Sequence, residues 1–379
     1  MTFALLLSLL LQAPPPKETV TIPGTKVSFD LVRLPGDGTL RPFSIGAKEV
    51  TWAEFSAYSL TKAKGVDAVT RPSQMQSWLG EFIPREALAD RRPAALLRWH
   101  SAVGYCEWLS KKTGRYFRLP TEREWEYAAR AGEKGEQAGS LDERAWHQGN
   151  SNRANHLGGE KKPNAFGLYD MLGNVWEYCL DFEAAPEFRP VLRGGSYRSP
   201  AGEIGWSSRR TVPYEWFRDD PVRPRSTWWL VCEWPEQGFR VVCDPGDADP
   251  EERGAAAKID VTILGSEEVR LKTETASPEF FVRVKARVKN GSSRSLDELQ
   301  LRVFFRNAEG SPHLMDVNTS NPSRATFTLC WPVLAAGARP TPLKAGESRD
   351  FEVFVPQSFE PELKDSFGAE VMTLRFSKE

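Results

Sequence analysis

At 379 residues the chain exceeds what one ordinary core closes around, since single domains mostly hold about 100–200 residues, so two domains are expected. With 50 Lys and Arg against 51 Asp and Glu, the formal charge is −1, which excludes a global electrostatic pull toward nucleic acid or an anionic membrane. The five cysteines (Cys106, Cys179, Cys232, Cys243 and Cys330) show no C-x-x-C or Cys/His spacing, which excludes the common thiolate zinc sites.

The chain opens on the apolar run Phe3 to Leu11, followed by Gln12, Ala13 and three prolines. The run suits the core of a signal peptide covering residues 1–16 and is too short for a membrane helix, which takes about 20 residues. Export to the periplasm or the extracellular space is the expectation, against a buried N-terminal segment as the alternative. No other stretch is apolar enough to span a bilayer.

Thr51 with Glu54, and Thr121 with Glu124, have capping-box spacing, so a helix is predicted behind each threonine. Between them, His100 to Lys111 places Ala102, Val103, Cys106 and Leu109 on one face, and Gly114 supplies a stop. Trp99, Trp108, Trp125 and Trp176 are expected to supply core area in a region short of long strands.

Asp244 to Lys258 is rich in Pro, Gly, Ala and acid and reads as a linker, which sets domains at 20–245 and 259–379 with the linker at 246–258. Beyond it the pattern alternates. Val282, Val284, Ala286 and Val288 share one parity, and Arg283, Lys285 and Arg287 the other, as a strand with one buried face requires. Similar runs at Ile259–Leu264, Leu299–Phe305, Arg324–Trp331, Asp350–Pro356 and Val371–Phe376 predict about seven short strands, an all-β sandwich resembling immunoglobulin-like modules. It carries no catalytic constellation.

In chain order the first domain contains IGAKEVTWAEF, WHSAVGYCEWLSKKTGRYFRLPTEREWEYAARAG, PNAFGLYDMLGNVWEYCLD, RGGSY, SSRR and GFRVV. This series resembles the formylglycine-generating enzyme, or sulfatase-modifying factor, family. The resemblance implies an α+β fold of the C-type-lectin-like kind across residues 20–245, ahead of the β-sandwich. It also implies calcium bound by the side chains of Asp170 and Glu177 and the carbonyls of Gly173 and Val175. Read alone, two carboxylates seven positions apart around a glycine turn suit a hard cation or merely cap turns. A second calcium loop of the family is not recognisable in Gln148 to Pro163.

The family's oxidases hold copper through two cysteines beginning just after RGGS and convert the cysteine of a Cys-x-Pro-x-Arg peptide. Here the first of those positions falls on Ser199, and no cysteine occurs between Cys179 and Cys232. Thiolates are the ligands Cu(I) prefers and a serine hydroxyl is a poor one, so copper is disfavoured. Ser196 and Trp176 match positions lining the family's active site, so a pocket without the metal is the expectation; Gly194 and Gly195 could equally be present for backbone geometry alone. The resemblance further implies a Cys106–Cys243 disulfide, while Ala129 and Ser207 stand where another would be. A sulfoxide-synthase branch uses iron held by histidines. With only His100, His147, His156 and His313 present, iron is disfavoured too.

Between Arg210 and the GFR block, Thr211 to Gln237 is longer than the family leads one to expect. It holds Trp216, Trp228, Trp229 and Trp234 with Tyr214, Arg218, Arg223 and Arg225. Aromatics beside guanidiniums suit stacking on a glycan, a peptide or a protein ligand, or the aromatics pack on themselves as an Ω-loop. The expected function is an exported, calcium-stabilised, non-oxidase binding or scaffolding protein. The alternative is a formylglycine-generating oxidase or related non-haem metal oxidase acting on protein or small-thiol substrates.

Overall fold

The computed structural model describes residues 15–37, 40–59, 91–95, 97, 99–133, 140–182, 190–211, 236–243, 258–271, 279–305, 327–331, 343–356 and 367–376. The predicted signal-peptide core, the linker up to residue 257 and the aromatic segment with Trp216, Arg223, Arg225, Trp228 and Trp229 lie outside the described residues.

The first part of the chain is mixed helix and sheet. Its strands are β1 (Lys17–Thr21), β2 (Ser28–Leu34), β3 (Phe43–Gly46), β4 (Phe117–Arg118), β5 (Trp176–Phe182), β6 (Pro190–Arg193), β7 (Arg209–Thr211), β8 (Gln237–Gly238) and β9 (Val242–Cys243). Its helices are α1 (Trp52–Ser59), α2 (Trp99–Thr113), α3 (Glu122–Arg130) and the single turn α4 (Leu141–Arg144). One sheet runs β1-β2-β3-β9-β4 and the other β7-β6-β5-β8, with β8 parallel to β5.

The helix starts follow from local chemistry. Thr121 is extended (φ −67°, ψ 155°); its hydroxyl accepts from the Glu124 amide, and the Glu124 carboxylate accepts from the Thr121 amide at 2.9 Å. Such a cap stabilises a helix by about 1 kcal/mol. Arg118 grips the same carboxylate with two bonds of 2.6 and 2.7 Å, which neutralises a buried acid. The helix stops at Ala131, which adopts the left-handed conformation (φ 47°). Thr51 and Glu54 repeat the reciprocal cap at α1.

Helix α2 buries Ala102, Val103, Cys106 and Leu109, the face its periodicity marks, and Gly114 closes it at φ +69°. One core cluster gathers α1 and α2 around Phe55, Tyr58, Tyr105, Trp108 and Phe239; a second centres on Trp125 and Trp206. Trp99, Trp108, Trp125 and Trp176 are all buried, in the packing role expected of them.

The disulfide expected from the family is not formed: Cys106, on α2, and Cys243, on β9, are free buried thiols. Pairing of β9 with β3 and β4 fixes Cys243 opposite Ser44 and Phe117, and its sulfur bonds the Arg115 guanidinium. Cys106 packs inside the first cluster, where burial pushes its thiol far up.

The second part contains six strands among the described residues: β10 (Ile259–Leu271), β11 (Glu279–Asn290), β12 (Leu296–Phe305), β13 (Phe327–Trp331), β14 (Ser348–Pro356) and β15 (Phe367–Phe376). They form two three-stranded antiparallel sheets, β10-β11-β14 and β13-β12-β15. On β11, Val284, Ala286 and Val288 are buried while Lys285, Arg287 and Lys289 face outward, as the alternation requires.

Candidate functional site

Two buried polar constellations in the first part of the chain hold the residues singled out from sequence. The first is built on the RGGS turn at the end of β6. Gly194 and Gly195 adopt φ +96° and +87°, and a Cβ on Gly195 would stand 2.8 Å from Ile204 Cγ1. Close approach therefore requires glycine, and the turn drops Ser196 into the interior. There the Ser196 hydroxyl donates to Glu236 Oε2 at 2.5 Å, and the Ser196 amide donates to Ser199 Oγ at 3.0 Å. The two hydroxyl oxygens are 3.4 Å apart.

Trp176 joins the group through its backbone, its amide donating to the Glu236 carbonyl at 2.7 Å. At the rim the half-exposed Arg198 guanidinium lies 3.9 Å from Glu236 Oε1. Ser196, Ser199 and Trp176 thus lie together, and Glu236 joins the group. No local pattern in the sequence marks Glu236; its role comes from the pairing of β8 with β5, which delivers the end of the aromatic segment to the RGGS turn.

The chemistry of this group is that of oxygen. The hydroxyls and the carboxylate are hard donors, and the described cysteines lie elsewhere, on α2, β5, β9 and β13. Burial pushes the Cys106 and Cys179 thiols well up, which keeps them protonated and non-nucleophilic.

The second constellation surrounds Asp170 and Glu177. Asp170 has φ +53°, followed by Gly173 at +74° and Asn174 at +58°, so the chain coils tightly before entering β5. A Cβ on Gly173 would meet the Trp146 carbonyl oxygen at 2.1 Å. Glu177 accepts from Arg240 Nε at 2.6 Å, from Arg240 Nη2 at 2.5 Å and from Trp125 Nε1 at 2.7 Å. Arg240, fully buried, also donates to the carbonyls of Gly46 at 3.0 Å and Tyr169 at 3.1 Å.

Asp170 Oδ2 accepts from the Gly159 amide at 2.6 Å, whereas Asp170 Oδ1 is buried without a hydrogen-bond partner. Glu49 adds a third buried carboxylate, bonded to the Asn174 side chain at 2.8 Å and to the Val175 amide at 3.2 Å. Burial, reinforced by Asp170 and Glu177, pushes Glu49 well above the ordinary carboxylate range. Burial likewise raises Asp170 to about 6, against the opposing pull of the Gly159 amide, Arg240 and Lys48.

Asp170 and Glu177 are the side chains the family resemblance assigns to calcium, and Glu177 is already held by Arg240 and Trp125. Three buried carboxyl groups face one buried guanidinium and the exposed Lys48, burial favours the neutral form of Glu49, and Asp170 Oδ1 is an orphaned hard acceptor. Glu177 would share its carboxylate between the ion and Arg240. Among the described residues no three Asp, Glu, His or Cys side chains converge as metal ligands.

His147 and His156 are each engaged in local contacts. His147 Nε2 pairs with Asp142 at 2.6 Å, while its Nδ1 accepts from the Gly149 amide. His156 lies flat on Trp146, centroids 3.6 Å apart, and bonds the Ser151 carbonyl. No described helix is long and apolar enough to cross a membrane.

Comparison with known proteins matches residues 10–244, more than half of the chain, to the sulfatase-modifying factor enzyme 1-like domain. The serine/threonine-protein kinase pkn1 of Chlamydia pneumoniae is 29% identical over 185 residues, 43% of this chain and 27% of that protein. The inactive C-alpha-formylglycine-generating enzyme 2 of Bos taurus is 34% identical over 129 residues, 28% of this chain and 38% of that protein. The formylglycine-generating enzyme of Streptomyces coelicolor is 35% identical over 137 residues, 28% of this chain and 42% of that protein. The chain thus spans about a quarter to two fifths of the length of these relatives.

Proposed function

The chain belongs to the sulfatase-modifying factor enzyme 1-like family, and from that premise we propose that its family domain is a binding or scaffolding module without the family's copper oxidase activity. One observation carries the reading. Where the family resemblance expects a copper thiolate stands Ser199, and its hydroxyl is held by the Ser196 amide in a network that ends on the Glu236 carboxylate. Cu(I) gains little from such oxygens. That a relative of similar identity is named as inactive fits the same reading.

The proposal extends to the rest of the chain. The family domain has the C-type-lectin-like fold and is stabilised by calcium at Asp170, Gly173, Val175 and Glu177, with the orphaned Asp170 Oδ1 in support. The two three-stranded sheets form an immunoglobulin-like sandwich that acts as a spacer. The apolar run Phe3 to Leu11 directs export. Ligand contact falls to the aromatic segment with Trp216, Trp228, Trp229, Arg223 and Arg225, anchored beside the Ser196–Glu236 group.

The test is Cu(I) titration against a chelating indicator, combined with incubation of the purified chain with a Cys-x-Pro-x-Arg peptide. Weak copper binding and an unchanged peptide thiol are expected; formylglycine in the peptide would overturn the proposal.

A further inference from the structure

The end of β11 carries the single Asn-Gly pair of the sequence, Asn290–Gly291. We infer that this pair is a modification site guarded by the fold: deamidation of Asn290 is suppressed while the second part of the chain is folded, and once complete it weakens that part. Asn-Gly is the most labile asparagine context, because glycine leaves the following amide unhindered. The Gly291 amide nitrogen attacks Asn290 Cγ; a C–N bond forms, the Cγ–Nδ2 bond breaks, and Nδ2 leaves as ammonia with the proton the amide gives up. Water then opens the succinimide at either carbonyl, leaving aspartate or isoaspartate, and no other reactant is consumed.

In the fold each group that this reaction needs is engaged elsewhere. Asn290 is fully buried, and its side chain uses its whole hydrogen-bonding capacity. Nδ2 donates to the carbonyls of Arg294 at 2.8 Å and Leu343 at 2.9 Å, while Oδ1 accepts from the Ser292 amide at 3.0 Å and the Ser292 hydroxyl at 2.6 Å. The Gly291 amide, the nucleophile, donates to the Lys258 carbonyl at 2.9 Å. The Asn290 main chain is clamped as well, its amide donating to the Glu347 carbonyl at 2.9 Å and its carbonyl accepting from the Gly346 amide at 2.7 Å. Cγ cannot turn onto the Gly291 nitrogen until these bonds open, so the reaction runs through the locally opened chain.

The same contacts account for the presence of a labile pair and for the effect of losing it. A Cβ on Gly291 would stand 2.5 Å from the Lys258 carbonyl oxygen, so close approach requires glycine. Asn290 ties together the entry to β10 at Lys258, the turn at Arg294 and the stretch from Leu343 to Glu347, which takes two donors and two acceptors on one short side chain. Aspartate has no donor for the Arg294 and Leu343 carbonyls and sets a buried carboxylate against them. Isoaspartate adds a methylene to the main chain and disrupts the pairing of residue 290 with Ile259.

The experiment incubates the full wild-type chain in mildly alkaline buffer, with and without unfolding concentrations of guanidinium chloride. Mass spectrometry follows the peptide that contains residue 290, and enzymatic methylation counts its isoaspartate. Deamidation at Asn290 is expected to be slower in the folded chain by about ten-fold or more. Equal rates in the two samples overturn the inference. Calorimetry of the Asn290→Asp chain is expected to show a lowered unfolding midpoint, and an unchanged midpoint overturns the stated effect of the modification. The rate comparison needs no variant, so it decides even if Asn290→Asp does not fold.

Discussion

Glu54 offers a quantitative test of how the family domain is held together. The carboxyl caps α1 by accepting from the Thr51 amide at 2.9 Å and the Thr51 hydroxyl at 2.6 Å, yet it is only 5% exposed. Burial outweighs these bonds and the attraction of Lys48, and raises its pKa from 4.5 to about 7. Between pH 4.5 and 7 the folded state therefore holds a proton that the unfolded chain has released, so the stability from this group falls as pH rises and is fully lost above pH 7. A shift of about 2.5 units corresponds to roughly 3 kcal/mol. Glu54→Gln removes the titration and keeps a carbonyl for the Thr51 donors. Urea unfolding followed by tryptophan fluorescence is expected to show the variant more stable than wild type by about 1–3 kcal/mol at pH 8, with no gain at pH 4.5. A stability difference independent of pH, or one that grows toward acid, refutes the argument.

Arg240→Leu leaves the buried Glu177 carboxyl without its guanidinium, and is expected to cost about 3–5 kcal/mol in the same unfolding assay; a loss under 1 kcal/mol would mean that Trp125 alone suffices. Gly195→Ala sets a Cβ against Ile204 at φ +87° and is expected to destabilise by about 1–3 kcal/mol, whereas a neutral outcome would show the RGGS turn to be adaptable. Cys106 and Cys243 are expected to react with iodoacetamide in denaturant without reductant, and a disulfide-linked peptide pair by mass spectrometry would contradict the free thiols.

What could be read in advance was what local chemistry determines. Thr121 and Glu124 announce α3 because a cap is made by residues three apart, and Val284, Ala286 and Val288 announce a half-buried strand because side chains alternate with period two. Asp170, Glu177, Ser196 and Ser199 were singled out on the family resemblance; in the fold the Ser196 and Ser199 hydroxyls lie 3.4 Å apart, and Asp170 and Glu177 influence each other electrostatically. Glu49, Glu236 and the reach of Arg240 were not, because each acts on residues far away in the chain: Glu236 meets Ser196 only through the parallel pairing of β8 with β5. The Cys106–Cys243 expectation failed for a related reason. Correspondence of position carries no information about where a sulfur points, and here Cys243 bonds Arg115.

The strand order β7-β6-β5-β8 places the two ends of the aromatic segment, Thr211 and Gln237, on opposite edges of one sheet. Three strand spacings separate them, about 14 Å. Both anchors are paired to neighbouring strands, β7 to β6 and β8 to β5, so the sheet itself fixes where the connection leaves and where it returns. That makes the position a natural graft point. A foreign peptide spliced between β7 and β8 would arrive with its ends pre-spaced and one of them set beside Glu236.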